Sequence, residues 1–210
     1  MKNAITIQKN HLNPEKAYKI LTEIIPGIRN DDLEKIVAQD TELAHMYAVE
    51  ALNGRFELGE TSIAKGAYES FDYAHEALKG RFELGEPAIA TDAQWSYFYA
   101  YQVIQGRFEL VEPIIATSYH YACLYARDVL KGRFELGEPT IATHVGWAYT
   151  YARDVIQGRW EVAEPVIATY DYWSYRYACD VLNGRFELGE PIIATNADYE
   201  RDYKERFGIK

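Results

Sequence analysis

Two cysteines and two methionines are all that 210 residues contain, and nowhere do about 18 apolar residues follow one another, the run that marks a membrane-spanning helix. The N-terminus has lysines but no apolar stretch leading to a cleavage site. These shortages indicate a soluble, cytoplasmic protein of a reducing compartment, and Cys123 and Cys179 are not expected to form a disulfide. Positive charge is also scarce. Of the net charge of −10, residues 39–194 contribute −11, residues 1–38 contribute +1 and residues 195–210 contribute zero. Binding to a nucleic-acid backbone, which rests on lysine and arginine displacing counterions, is disfavoured, and a basic protein is the easier partner.

Signatures of catalysis are missing too. His11, His45, His75, His120 and His144 fall at unrelated places, and no Ser–His–Asp or Cys–His–Asn order stands in a recognisable local setting. His120 and Cys123 are close enough in sequence to share a metal, yet two ligands are far from a four-ligand zinc site, and ordinary packing is the expected role. The glycines lack the Gly-Lys-Ser/Thr ending of a phosphate loop. The expectation is a protein that is not an enzyme and holds no cofactor or metal.

What is present is a repeat. Gly-Arg-Phe-Glu-Leu-Gly-Glu, or a close variant, begins at Gly54, Gly80, Gly106, Gly132, Gly158 and Gly184, a period of 26 residues without an insertion. The repeats run 39–64, 65–90, 91–116, 117–142, 143–168 and 169–194. Residues 1–38 read as an N-terminal cap containing a degenerate copy at 13–38, and 195–210 as a truncated, charged C-terminal capping copy. Chains under about 40 residues seldom close a core alone, so each copy must lean on its neighbours, and one continuous domain is expected.

Numbering each repeat from its first residue, small or apolar groups recur at positions 6, 9, 10, 13 and 14, the spacing of a helix with one buried face. Thr91, Thr117, Thr143, Thr169 and Thr195 stand where N-caps belong, and the glycine at position 16 reads as the helix stop. Pro87, Pro113, Pro139, Pro165 and Pro191 suit the first turn of a short second helix. The fold class read from this pattern is all-α, an α-solenoid of 26-residue helix–turn–short-helix repeats. The tyrosines at position 9, Tyr47 to Tyr203, read as packing groups, and so do Trp95, Trp147 and Trp173. The arginines at position 17, Arg55 to Arg185, read as a ladder of carboxylate bonds tying one repeat to the next, with phosphate binding as the other reading.

The aromatic-rich helix, the Val-Ile or Val-Leu before x-Gly-Arg-Phe/Trp and the Glu-Pro-x-Ile-Ala ending resemble tandem repeats of uncharacterised proteins from tailed bacteriophages and some bacteria, over residues 39–195. The plan is also similar to tetratricopeptide and Sel1-like solenoids, with a shorter period. The resemblance implies an architecture and a phage or prophage origin, hence the bacterial host cytoplasm, and carries no activity with it.

If invariant positions serve stacking, binding belongs where repeats differ. Positions 4, 8, 11 and 15 form one helical stripe, in which Tyr68, Asp72, Phe98, Tyr101, His120, Arg127, Arg153, Tyr172 and Arg176 are the candidate partner-binding residues. Three functions compete. One is a scaffold that binds a protein, such as a host factor that a phage blocks or recruits. Another is an acidic mimic of nucleic acid, using the even series Glu57, Glu83, Glu109, Glu135, Glu161, Glu187 and Glu60, Glu86, Glu112, Glu138, Glu164, Glu190. The third is a nucleotide-like ligand held in an aromatic groove by Arg127, Arg153 and Arg176.

Overall fold

A computed structural model describes residues 12–209, so His11 and the first eleven residues of the N-terminal cap lie outside the described residues. Among the described residues every regular element is helical, in a 26-residue rhythm of long and short helices, the all-α repeat class. The chain divides into two compact units, Met1–Ile104 and Gln105–Lys210.

The second unit shows the plan. The fourth repeat starts as the α-helix Tyr119–Leu124, widens without a break into the π-helical turn Tyr125–Leu130, and reverses at Lys131, whose φ is 53°. The Gly-Arg-Phe-Glu-Leu segment then leads to the short helix Glu138–Ile141, with Pro139 in its first turn where no intrahelical N–H is required. The fifth and sixth repeats follow the same course through Val145–Tyr151, Ala152–Ile156 and Glu164–Ile167, then Asp171–Arg176, Tyr177–Leu182 and Glu190–Ile193. The last copy is the α-helix Ala197–Phe207.

The first unit repeats the plan from Thr41–Met46 to Tyr99–Ile104 and begins with a copy less degenerate than it reads. Counting 26 residues back from Arg55 and Glu60 gives Arg29 and Glu34, and these two form the same fork that the later pairs form. Gly27, at φ 76°, takes the left-handed place that Asn53 takes one repeat later. Residues 13–38 are thus a working repeat rather than a lid alone.

Two local expectations are corrected. The left-handed residue that ends each long helix is not the glycine at position 16 but its predecessor, Asn53, Lys79, Gln105, Lys131, Gln157 or Asn183, with φ between 43° and 56°. The glycine amide instead closes the wide turn on a carbonyl six residues back, Gly54 to Ala48 and Gly132 to Ala126 at 3.1 Å. The terminal copy shows where the additional residue comes from: its helix has no π turn, and its left-handed Gly208 falls one position earlier in the repeat than Lys131 does. The threonines are not N-caps either. Thr117 and Thr143 donate their hydroxyls back to the carbonyls of Ile114 and Thr140 at 2.7 Å, and the capping residue is the next one, as where Ser118 accepts from the Tyr121 amide and Asp92 from those of Gln94 and Trp95.

The core is made of the small and apolar positions. Ala126, Tyr125 and Ile141, and Ala74, Tyr73 and Ile89 in the first unit, are fully buried. Burying one isoleucine contributes about 1.5–3 kcal/mol, and the periodic sequence delivers the same set once per repeat. The glycine at position 21 is there for space. Its φ is ordinary, −88° at Gly85 and −87° at Gly137, but an added Cβ would come within 2.6 Å of the Phe82 or Phe134 ring and within 2.8 Å of Ser70 or Ala122 on the long helix.

Candidate functional site

Each repeat presents two faces with distinct chemistry. The first carries the variable stripe. In the first unit Asp72 is held by His45 of the preceding repeat, Nε2 to Oδ2 at 2.7 Å, so its charge is committed to a repeat junction. Phe98 is half-buried against Trp95, Phe71 and Tyr97, with ring centroids 5.2–6.1 Å apart. Tyr68 is exposed, lying between His45 and Trp95. Tyr101 is also exposed and stacks parallel on Tyr97 at 5.8 Å.

In the second unit His120 lies half-buried between Tyr121 and Trp147, each ring 4.6 Å away, and desolvation lowers its pKa. It therefore favours the neutral imidazole. Arg127 and Arg153 fork the adjacent Asp128 and Asp154, and Arg176 binds Asp180, which also accepts from the Tyr149 hydroxyl at 2.7 Å. Tyr172 is exposed beneath the Arg176 guanidinium and beside Trp173. The three arginines proposed for a phosphate thus each hold a carboxylate. Among the described residues no group of three His, Cys, Asp or Glu side chains is placed to hold a metal ion, and Cys123 is buried with its thiol pKa pushed up to about 12 by desolvation. No described helix is long and apolar enough to cross a membrane.

The second face carries the repeated motif, and here the arginine ladder is corrected. Each arginine at position 17 forks the glutamate at position 22 of its own repeat, as Arg107 does to Glu112 and Arg133 to Glu138 at 2.7–3.0 Å. The link to the next repeat is made by tyrosine. Tyr125 and Tyr151 donate to Glu112 and Glu138 at 3.1 and 2.9 Å and accept the amides of Phe108 and Phe134 at 3.0 and 2.8 Å. The same set recurs at each junction from Tyr73 with Glu60 to Tyr203 with Glu190, whereas Tyr47 donates to Glu34 and the equivalent amide, that of Asn30, also goes to Glu34. Burial raises the tyrosine pKa values, to about 12 for Tyr125, Tyr177 and Tyr203, while the arginine bond lowers those of Glu138 and Glu190.

The two glutamate series that look alike in sequence therefore differ in the fold. Glu60, Glu86, Glu112, Glu138, Glu164 and Glu190 are consumed by arginine and tyrosine, whereas Glu57, Glu83, Glu109, Glu135, Glu161 and Glu187 are exposed. Beside each exposed glutamate stands an apolar side chain that the interior leaves out. Leu58 is 47%, Leu84 54%, Leu110 51%, Leu136 56%, Val162 71% and Leu188 54% exposed. Between two successive motif segments of the second unit, Arg107, Leu130, Arg133, Glu135 and Leu136 line an open cleft of about 450 Å³.

In sequence the invariant motif positions read as stacking groups, with both glutamate series kept as candidate exposed charges. The signal that separates the motif's members is the alternation around Phe134: the ring and Gly137 point inward while Glu135 and Leu136 point out. Comparison with protein families, with curated proteins and with solved structures finds no match for the chain.

Proposed function

We propose that the protein is a non-enzymatic repeat scaffold that binds another protein through its motif face. The observation that carries this reading is the exposed leucine, or valine, in every repeat. A lone exposed leucine is unremarkable on any protein surface, but the same one placed six times beside a fully satisfied polar network does no work in the fold. The aromatic stripe takes a supporting part, with Tyr68 and Tyr101 in the first unit and Tyr172 in the second as accessible rings, each half of the stripe acting on its own.

The acidic-mimic reading keeps one glutamate series instead of two, and a nucleotide site would have to displace Asp128, Asp154 or Asp180 from its arginine. Both are weaker for it. The resemblance to phage and bacterial repeats makes a bacterial host factor the class to test first.

Affinity capture from bacterial lysate with the intact chain and with Leu110→Ser/Leu136→Ser/Leu188→Ser as baits tests the proposal. A protein retained by the first bait and lost from the second supports it; identical protein sets from both would refute the motif face as the binding surface.

A further inference from the structure

The motif face also specifies the chemistry of what it binds. Three of its features have no use inside the protein. The side chain at position 20 is about half exposed or more in every repeat. The carboxylate before it is also out in solvent, with side-chain exposure of 81% at Glu57 and 83% at Glu109, its nearest arginine nitrogen no closer than 3.9 Å. The glycine at position 16 has no left-handed φ, and a Cβ built on Gly106 or Gly158 meets no atom within 4 Å. Neither conformation nor crowding demands glycine there, so its effect is to leave the backbone bare where another chain can come close.

Charge then selects the occupant. In each motif one arginine is neutralised by the glutamate it forks, and the other glutamate is left over, so every repeat offers one uncompensated negative charge beside one apolar side chain. Residues 39–194 carry a net −11, which opposes a second copy of the same chain and an acidic ligand alike. We infer that the motif face docks a basic polypeptide segment, one in which apolar side chains alternate with lysine or arginine, the apolar groups covering Leu110, Leu136, Val162 and Leu188 while the cations meet the glutamate that precedes each.

The inference rests on the protein-binding reading of the same face. Its probe is a fluorescein-labelled peptide of alternating leucine and lysine, set against a counterpart with glutamate for every lysine, in anisotropy titrations with the intact chain. The lysine peptide is expected to bind and the glutamate peptide to fail. Leu110→Ser/Leu136→Ser/Leu188→Ser should weaken binding tenfold or more with the helical circular dichroism unchanged, since these side chains are outside the core. Glu109→Gln/Glu135→Gln/Glu187→Gln should weaken it similarly and flatten its salt dependence. Equal binding of the two peptides would overturn the inference. So would a loss confined to the glutamine variant, which would mean general charge attraction without docking. If lysate capture depends on the leucines while the lysine peptide fails to bind, the scaffold reading survives and the basic partner does not.

Discussion

The hydroxyl of Tyr151 donates to Oε1 of Glu138 in the preceding repeat at 2.9 Å, and that hydroxyl oxygen accepts the amide of Phe134 at 2.8 Å. One buried atom therefore satisfies a carboxylate and a main-chain donor across a repeat junction. Tyr151→Phe keeps the ring but strands the Phe134 amide and takes one donor from Glu138, which keeps its Arg133 fork, so it is expected to cost about 1–3 kcal/mol, the range for stranding a buried hydrogen-bonding group. Urea unfolding followed by circular dichroism measures it. Tyr101→Phe, whose ring is exposed on Tyr97, should stay within about 0.5 kcal/mol. Equal effects would mean that the hydroxyl of Tyr151 has no special weight.

Acid should act through the same junctions. The arginine bond holds the pKa of Glu138 and Glu190 below the usual carboxylate value, so their contribution is present above the unfolded value of about 4.3 and is lost as pH falls through the folded one. Glu138→Gln/Glu190→Gln should lower stability at neutral pH and make its decline in acid shallower, by about one proton per site. For Tyr125, Tyr177 and Tyr203 the sign reverses. Burial raises them to about 12, so their contribution is complete below the unfolded value of about 10 and disappears between there and the folded one. Unfolding free energies across pH, together with tyrosinate absorbance, give both limbs; a tyrosine titration with no delayed class would contradict the alkaline one.

The period and the 3.6-residue spacing made the helices legible, because repetition and amphipathicity are written in residue types. Hydrogen-bond partners are not. Arg133 stands near acids on both sides in sequence, and only the turn between Phe134 and Glu138 decides that it folds back on its own repeat. Capping is similar: Thr117 and Ser118 are adjacent, and the threonine hydroxyl turns back to the carbonyl of Ile114 while the serine accepts the Tyr121 amide. For the candidate site, residue identity showed which positions vary but not which are spent. Asp72 and Arg176 vary and are engaged by His45 and Asp180, while Leu136 barely varies and is exposed.

The reversal at Lys131 offers a gain in stability. A β-carbon in the left-handed region costs roughly 1–2 kcal/mol, and the lysine holds φ at 53°. Lys131→Gly removes that strain and returns part of the gain as unfolded-chain entropy, so a net stabilisation of about 0.5–1 kcal/mol is expected. Thermal and urea unfolding would show it. Val129→Gly, within the π-helical turn, should destabilise instead, and two losses would mean that the reversal is not strained.

Position 21 and the ring at position 18 share one space. Where position 21 is glycine, Phe56, Phe82, Phe134 and Phe186 are buried; where it is Val111, Phe108 is only half-buried. Where it is Ala163 the ring is Trp160, tilted at 46° to Tyr151, against 65–77° between tyrosine and phenylalanine in the glycine repeats. Gly137→Ala alone drives a methyl into the Phe134 ring and should cost about 1–3 kcal/mol, the range for an overfilled core. Adding Phe134→Trp reproduces the pairing of the fifth repeat, so the double variant should be more stable than the sum of its parts by about 0.5 kcal/mol or more. A double-mutant cycle in urea measures this coupling. Strict additivity would mean that the tilt of Trp160 comes from the indole itself and not from the methyl beside it.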